Sequence, residues 1–308
     1  MALGFFSIVA FALYGLDKHK AVKRKKRIRE STLLLFSCVG GIGALLGMLV
    51  FHHKTKKWKF RILVPLFVVI DLLIAVYLVW SSGYYNAGTA AEEAIKSDDV
   101  VKVQEYRTHW LFDGPSKKKA LVFYPGAKVE EKAYAPVFHE IAAKEMDVLV
   151  VKMPYRFAVF GWNDAKTIVK NTFYIDYYIG GHSLGGAMAS FYAARHEKSF
   201  SGMILLASYP VMATNLDTLL IYGSEDKILN MDRVKAADDL VSGTYEEDVI
   251  EGGNHAQFGD YGLQKDDGTA SISPEEQWEY TIDKICDFVP GDSSDISSED
   301  SDDTNKDE

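Results

Sequence analysis

Two kinds of hydrophobic pattern divide the chain. Up to residue 80 the apolar positions fall in long uncharged runs: Met1–Leu16 (16 residues), Ser31–Phe51 (21) and Ile62–Trp80 (19, with Asp71 inside). A helix needs about 20 apolar residues to cross a bilayer core, so the second and third runs read as spanning and the first as marginal. Past residue 100 the apolar runs shorten to five to seven residues and alternate with helical spacing. Val100–Trp110 predicts a strand or strand pair. Ala120–Tyr124, Asp147–Met153, Phe173–Ile179, Gly202–Ala207, Thr218–Tyr222 and Tyr245–Ile250 predict strands. Glu131–Glu145, Asn163–Lys170, Leu184–His196, Met231–Leu240 and Pro274–Phe288 predict helices. Alternation of this kind argues an α/β fold with a mostly parallel, doubly wound sheet. Only about ten residues part the strands near Leu206 and Leu219, which leaves no room for a sizeable cap domain. The expected organisation is a transmembrane region of two to three helices over 1–80, a linker over 81–99, an α/β domain over 100–290 and a disordered acidic tail over 291–308.

Charge sharpens this division. The whole chain of 308 residues carries −9, but residues 1–80 hold 13 Lys/Arg against 3 Asp/Glu, and the rest is acidic. The acidic part would repel phosphates, so no nucleic-acid partner is expected. In the basic part the cations lie between apolar runs, which points to a lipid bilayer. Two loops carry them, Lys18–Arg29 with eight and Lys54–Arg61 with five. If all three runs cross, these loops lie on opposite sides and cation bias cannot place both inside: the larger loop would keep the C-terminal domain in the cytoplasm, whereas the second, which abuts the third run, would send it outside. If the glycine-bearing second run does not cross fully, both loops stay inside and the C-terminal domain lies outside. Asp71 is costly at bilayer depth. It reads as a carboxyl facing a helix partner rather than as an ion site. Cys38 and Cys286 form no disulfide framework, and no zinc spacing occurs, so neither a metal nor a cofactor is expected.

The chemistry centres on Gly181-His182-Ser183-Leu184-Gly185. A G-x-S-x-G sequence between a strand and a helix places the serine on a sharp turn, its oxygen above the sheet. Side chains at either glycine would crowd that turn. A serine nucleophile needs a base, and the base an orienting acid, in the chain order Ser, Asp/Glu, His. Downstream lie two histidines. His196 ends the elbow helix and reads as structural, whereas His255 lies after the last strand in Glu251-Gly252-Gly253-Asn254-His255-Ala256 and is the candidate base. Asp226, after Ile221-Tyr222-Gly223-Ser224-Glu225, is the candidate acid, with Glu225 as runner-up. Asp226 also reads as a turn residue capping the next helix. Asp217 comes before the strand, and Asp238 and Asp239 fall on a helix. Two main-chain amides complete an oxyanion hole, those of Leu184 and of Ala127 or Gly126. Tyr155, Phe157, Phe160 and Trp162 form an aromatic cluster that either lines an acyl pocket or packs on the core.

Two resemblances rest on these residues. Asp17-Lys18, Ala21, Arg27-Ile28-Arg29-Glu30, Gly40-Gly41, and Phe51 to Lys57 with Phe60 resemble a small bacterial membrane-protein family of unknown function, over about residues 8–70. Residues 84–290 resemble the dienelactone-hydrolase-like branch of the α/β-hydrolase superfamily. They do so through Phe123-Tyr124-Pro125-Gly126, Tyr134-Ala135-Pro136, Val151-Lys152-Met153-Pro154, the elbow, Tyr222 to Asp226, and Gly252 to Gly262. The resemblance implies an α/β-hydrolase fold with Ser183, Asp226 and His255 as the triad. Dienelactone hydrolases proper use cysteine, so their substrate does not carry over. Relatives of this branch usually pair one membrane anchor with an exported hydrolase domain, which favours the outside here. The expected protein is a membrane-anchored, multi-pass serine hydrolase acting on a small-molecule or lipid-like acyl ester. The alternative is a non-catalytic α/β-hydrolase-like binding or scaffold module.

Overall fold

The uncharged run Ser31–Phe51 carries four glycines, and its helix breaks at one of them. In the computed structural model, which describes residues 2–290, the chain divides into two compact units between Gly83 and Tyr84. The expected acidic tail, 291–308, lies outside the described residues. The N-terminal unit holds α1 (Ala2–Val22), α2 (Glu30–Val39), α3 (Gly41–Val50) and α4 (Trp58–Ser82). Gly40, at φ −145° and ψ 43°, parts α2 from α3. Each half is ten residues, or about 15 Å of helix. The run is therefore two short helices rather than the one continuous helix its length predicts. Among the described residues only α4, over Trp58–Trp80, is long and apolar enough to cross a membrane.

The two halves double back along α1. At its start, the Ile28 N–H donates to Asp17 near the end of α1 (2.8 Å). Midway, the Tyr14 hydroxyl bonds Ser37 (2.9 Å). At the break, a Cβ on Gly40 would stand 2.5 Å from the carbonyl oxygen of Phe6. α3 then returns. A Cβ on Gly43 would stand 1.7 Å from the Ser7 carbonyl oxygen, and one on Gly47 would stand 2.8 Å from the Tyr14 Cβ. Bare backbones permit this approach, the usual role of small residues between apolar helices. The apex is held from α4, where Asp71 Oδ2 accepts the Gly41 N–H at 2.7 Å. A carboxyl oxygen at a helix N-terminus satisfies an amide that has no partner within the helix. Asp71 thus faces a helix partner.

Because the pair returns to the end it left, both basic loops meet there. Asp17, fully buried, accepts from Ile28 N–H, from Arg27 (3.3 Å) and from His53 Nε2 (2.8 Å), with Lys54 Nζ 3.6 Å away. Glu30 takes Lys54 Nζ at 2.8 Å and also pairs with Lys57.

The C-terminal unit is built around central strands buried along their whole length. It runs α5 (Thr89–Ala94), β1 (Lys102–Glu105), β2 (His109–Asp113), β3 (Lys119–Tyr124), α6 (Ala135–Lys144), β4 (Asp147–Val151) and α7 (Ala165–Asn171). Then come β5 (Asp176–His182), α8 (Leu184–Ala193), β6 (Gly202–Leu206), β7 (Thr218–Gly223), α9 (Met231–Lys235), β8 (Tyr245–Ile250) and α10 (Pro274–Phe288). The eight strands form one sheet in the order β1-β2-β4-β3-β5-β6-β7-β8. β2 is antiparallel to both its neighbours, and β3 to β8 are parallel. β3, β4, β6 and β7 are buried throughout, as strands covered on both faces must be. The edge strands β1 and β8 carry Lys102, Glu105, Glu246, Glu247 and Asp248, charges that blunt an edge. α6 and α10 pack on one face, and α7, α8 and α9 on the other. The capping box of Ser273 and Glu276 starts α10.

Two expected elements move. β5 begins at Asp176, not Phe173. Phe173 and Ile175 are 94 % and 76 % exposed, so that part of the apolar run is loop. The helix expected over Met231–Leu240 stops at Lys235 and resumes as one 3₁₀ turn at Asp238–Leu240. Eleven residues, 207–217, link β6 to β7, and no cap domain is inserted there.

Candidate active site

The order of the parallel strands reverses at β3, and the loops after β3, β5, β7 and β8 gather at their C-terminal ends, where open α/β sheets place their sites. Ser183 comes directly after β5, at φ 53° and ψ −126°. This is costly backbone for a residue with a Cβ, of order 1–3 kcal/mol, and it persists because it is pinned. The Ser183 N–H donates to the Leu206 carbonyl (2.9 Å), and the Ser183 carbonyl accepts from Ser208 Oγ (2.8 Å). The flanking glycines are required by space. A Cβ on Gly181 would stand 2.6 Å from the Gly185 carbonyl carbon. One on Gly185 would stand 2.1 Å from the Tyr124 oxygen and 2.3 Å from the Pro125 oxygen.

Asp226 Oδ2 accepts from His255 Nδ1 at 2.7 Å, with both side chains buried. Asp226 Oδ1 accepts the N–H groups of Ile228 and Leu229, each at 2.8 Å. The turn-capping and base-facing readings of Asp226 therefore hold at once, one on each oxygen. The other ring nitrogen, His255 Nε2, is buried and has no hydrogen-bond partner among the described residues. His255 and Ser183 line the same cavity of about 220 Å³, whose apolar wall includes Leu184, Ile228 and Leu229. Glu225, the runner-up, makes no bond to His255. His196 stacks on Tyr192 (4.1 Å between rings) and bonds its carbonyl (2.9 Å), at the far end of α8.

The two candidate oxyanion amides after β3 separate. The Gly126 N–H is given to the Tyr134 hydroxyl at 2.9 Å and so is already engaged. The Ala127 N–H makes no hydrogen bond among the described residues. Neither does that of Leu184, which opens α8 and carries the positive end of its dipole. The close fit of Gly185 against Tyr124 and Pro125 sets the start of α8 beside this loop.

Sequence reasoning missed the layer beneath. The Tyr134 hydroxyl, having accepted from Gly126, donates to His182 Nδ1 (2.9 Å). His182 Nε2–H donates to the His255 carbonyl (3.1 Å). Burial, reinforced by the His255 ring 4.7 Å away, holds His182 well below the ordinary imidazole value. A neutral His182 with its proton on Nε2 satisfies both bonds. The chain Gly126–Tyr134–His182–His255 thus ties the loop after β3 to the loop after β8, under the turn that carries Ser183. Tyr134 and His182 both stand within the sequence motifs. Their pairing across 48 positions leaves no local signal.

The aromatic cluster is not the cavity wall. Trp162 packs on Phe191 (5.3 Å between rings) and Phe157 is buried, while none of Tyr155, Phe157, Phe160 and Trp162 lines the cavity beside Ser183.

With this geometry, residues 120–279, just over half of the chain, match the alpha/beta hydrolase family, and the chain belongs to that family. Residues 7–60 match a second family, a protein of unknown function, DUF1294. The uncharacterized protein YsdA of Bacillus subtilis is 44 % identical over 77 residues, 24 % of this chain and 86 % of that protein. Among solved structures, a bacterial heroin esterase aligns at 14 % identity over 66 % of this chain and 89 % of its own, with a TM-score of 0.49. A dienelactone hydrolase from Anabaena variabilis aligns at 13 % identity over 59 % and 96 %, with a TM-score of 0.45.

Proposed function

We propose that the C-terminal unit is a serine hydrolase that cleaves an ester or related acyl bond through an acyl-serine. The observation that carries this is the Asp226–His255 pair, whose bare, buried Nε2 shares a cavity with the strained Ser183. In this reading Ser183 Oγ attacks the acyl carbon and its proton passes to His255 Nε2. Asp226 keeps the Nδ1–H tautomer and stabilises the imidazolium. The amides of Leu184 and Ala127 receive the oxyanion. Collapse expels the alcohol, which takes the proton from His255. Water, deprotonated by the same nitrogen, then releases the acid and restores Ser183. The cavity of about 220 Å³ lies below the roughly 300–1,000 Å³ of sites for drug-sized ligands, which suits a compact acyl group. A fluorophosphonate probe is expected to label the wild type and spare Ser183→Ala. Equal labelling of both would exclude the acyl-serine route and favour a binding module.

We further propose that the N-terminal unit anchors this hydrolase in a membrane. In this reading α4 crosses once, while α1 and the α2–α3 pair enter from the basic side and return. A re-entrant turn at depth requires protein cover for its amides. α1, α4 and Asp71 supply it. With both basic loops at one end, cation bias puts that end in the cytoplasm. α4 then carries the hydrolase unit outside. The two or three crossings that run lengths suggest reduce to one. External protease on intact cells is expected to remove the hydrolase unit. Full protection in intact cells, with cleavage only after lysis, would reverse the orientation.

A further inference from the structure

Thirteen cations in the first eighty residues meet only three acids, and the fold gathers them instead of dispersing them. Two of the acids are consumed as stitches. Asp17 ties Arg27 to His53 and Lys54, and Glu30 ties Lys54 to Lys57. The backbone is held to the same end, with His52 at φ 46° and Lys54 at φ 63°, a left-handed conformation that costs a side-chain-bearing residue about 1–2 kcal/mol. Beside these stitches lies an open pocket of about 460 Å³, lined by Lys18, Arg27, His52, Lys56 and Lys57 among others. Lys18 and Lys56 make no ion pair among the described residues. A concave site with cations in surplus over acids calls for an anion.

A second cavity adjoins it and differs in character. It measures about 680 Å³ and is lined by Ala12, Gly15, Leu16, Val22 and Phe51, with Lys18 and His19 at its rim. Lys18 and Val22 belong to both cavities. Gly15 lets the Phe51 ring pack directly on α1 as part of this lining, since a Cβ there would stand 2.9 Å from it. A basic pocket continuous with an apolar groove has the polarity of one ligand, a phosphodiester headgroup joined to an acyl chain. We propose that the N-terminal unit holds an anionic phospholipid, with the phosphate among Lys18, Arg27 and Lys56 and a chain along the Gly15–Phe51 groove. The site uses no residue of the hydrolase unit, so it stands or falls apart from the serine chemistry.

The test is equilibrium binding to the full-length protein in neutral maltoside micelles. The probes are a fluorescent short-chain phosphatidylglycerol, the matching phosphatidylcholine, glycerophosphoglycerol as the bare headgroup, and a single-stranded DNA oligonucleotide. Phosphatidylglycerol should saturate at one per chain, and bind at least tenfold tighter than either phosphatidylcholine or the bare headgroup. The double variant Lys18→Gln, Lys56→Gln should weaken it at least tenfold while labelling of Ser183 stays at the wild-type rate. If that variant misfolds, Leu16→Gln, which alters the groove and no cation, should still weaken the lipid and leave the headgroup unchanged. Equal binding of the bare headgroup would make this a free-phosphate site and overturn the proposal. Preference for the oligonucleotide, parity with phosphatidylcholine, or indifference to the substitutions would overturn it equally.

Discussion

His255→Ala is expected to lower kcat/KM for an activated short-chain ester by about 10⁴-fold or more, with most of the loss in kcat. The size reflects the work of the ring. Positioned acid–base catalysis contributes about 10²–10⁴-fold, and removing a base from a triad that acts as a unit reaches higher still. His255 Nε2 is the one ring nitrogen of the pair left bare, because Nδ1 is committed to Asp226. Substrate binding draws on the wall of Leu184, Ile228 and Leu229, which the substitution leaves in place. Asp226→Asn separates the two roles of that carboxyl. An asparagine can retain an oxygen for the Ile228 and Leu229 amides and turn its NH₂ toward His255, forcing the wrong tautomer. It should fold normally and still lose about 10³–10⁴-fold in kcat. Steady-state kinetics with circular dichroism on the same samples decides the matter. Turnover in His255→Ala within tenfold of wild type would remove His255 from the mechanism.

The parts of the candidate site that were legible in the sequence are those whose chemistry is local. Ser183 sits in five consecutive residues whose glycines are dictated by space, and chain order assigned Asp226 and His255 their loops. The buried strands announced themselves as apolar runs, because a strand covered on both faces has no polar side to show. Runs say nothing about what covers them, however. Phe173 and Ile175 continue the run before the elbow yet lie in water, and β5 gains its length at the other end, through Gly180, Gly181 and His182.

The features that stayed hidden depend on partners far along the chain. The break at Gly40 is tolerable because Asp71, thirty residues beyond Gly41, accepts the amide the turn exposes. An uncharged run of 21 residues cannot report an acceptor on another helix. The choice between Gly126 and Ala127 is of the same kind. Either amide suited the loop after β3, until the Tyr134 hydroxyl took one of them. Main-chain donors leave no imprint on side-chain identity, so only the fold could separate them.

Gly185→Ala should damage both the stability of the protein and the reactivity of Ser183. The added Cβ would stand 2.1 Å from the Tyr124 carbonyl oxygen and 2.3 Å from that of Pro125. Both are backbone atoms at the end of β3, so no side-chain rotation relieves the contact. Either α8 lifts from the sheet or the loop carrying Ala127 moves, by about 1 Å in each case. Overpacking of a rigid core costs typically 1–3 kcal/mol and occasionally more. With backbone on both sides we expect about 3–5 kcal/mol, which for a unit of this size is a fall in Tm of roughly 10 °C. The molecules that remain folded should react slowly, since a displacement of about 1 Å in a catalytic array costs on the order of 10²-fold. Gly262→Ala is the control. Gly262 has φ 77° with nothing within 4 Å of the added Cβ. It should cost only the backbone strain of about 1–2 kcal/mol and leave the labelling rate of Ser183 unchanged. The measurement is thermal unfolding of the full-length protein in detergent, paired with the rate of fluorophosphonate labelling at a temperature where each variant is folded. A Gly185→Ala protein with wild-type Tm and labelling rate would mean that the start of α8 does not rest on the β3 loop. The placement of the Ala127 amide beside Leu184 would then be lost with it.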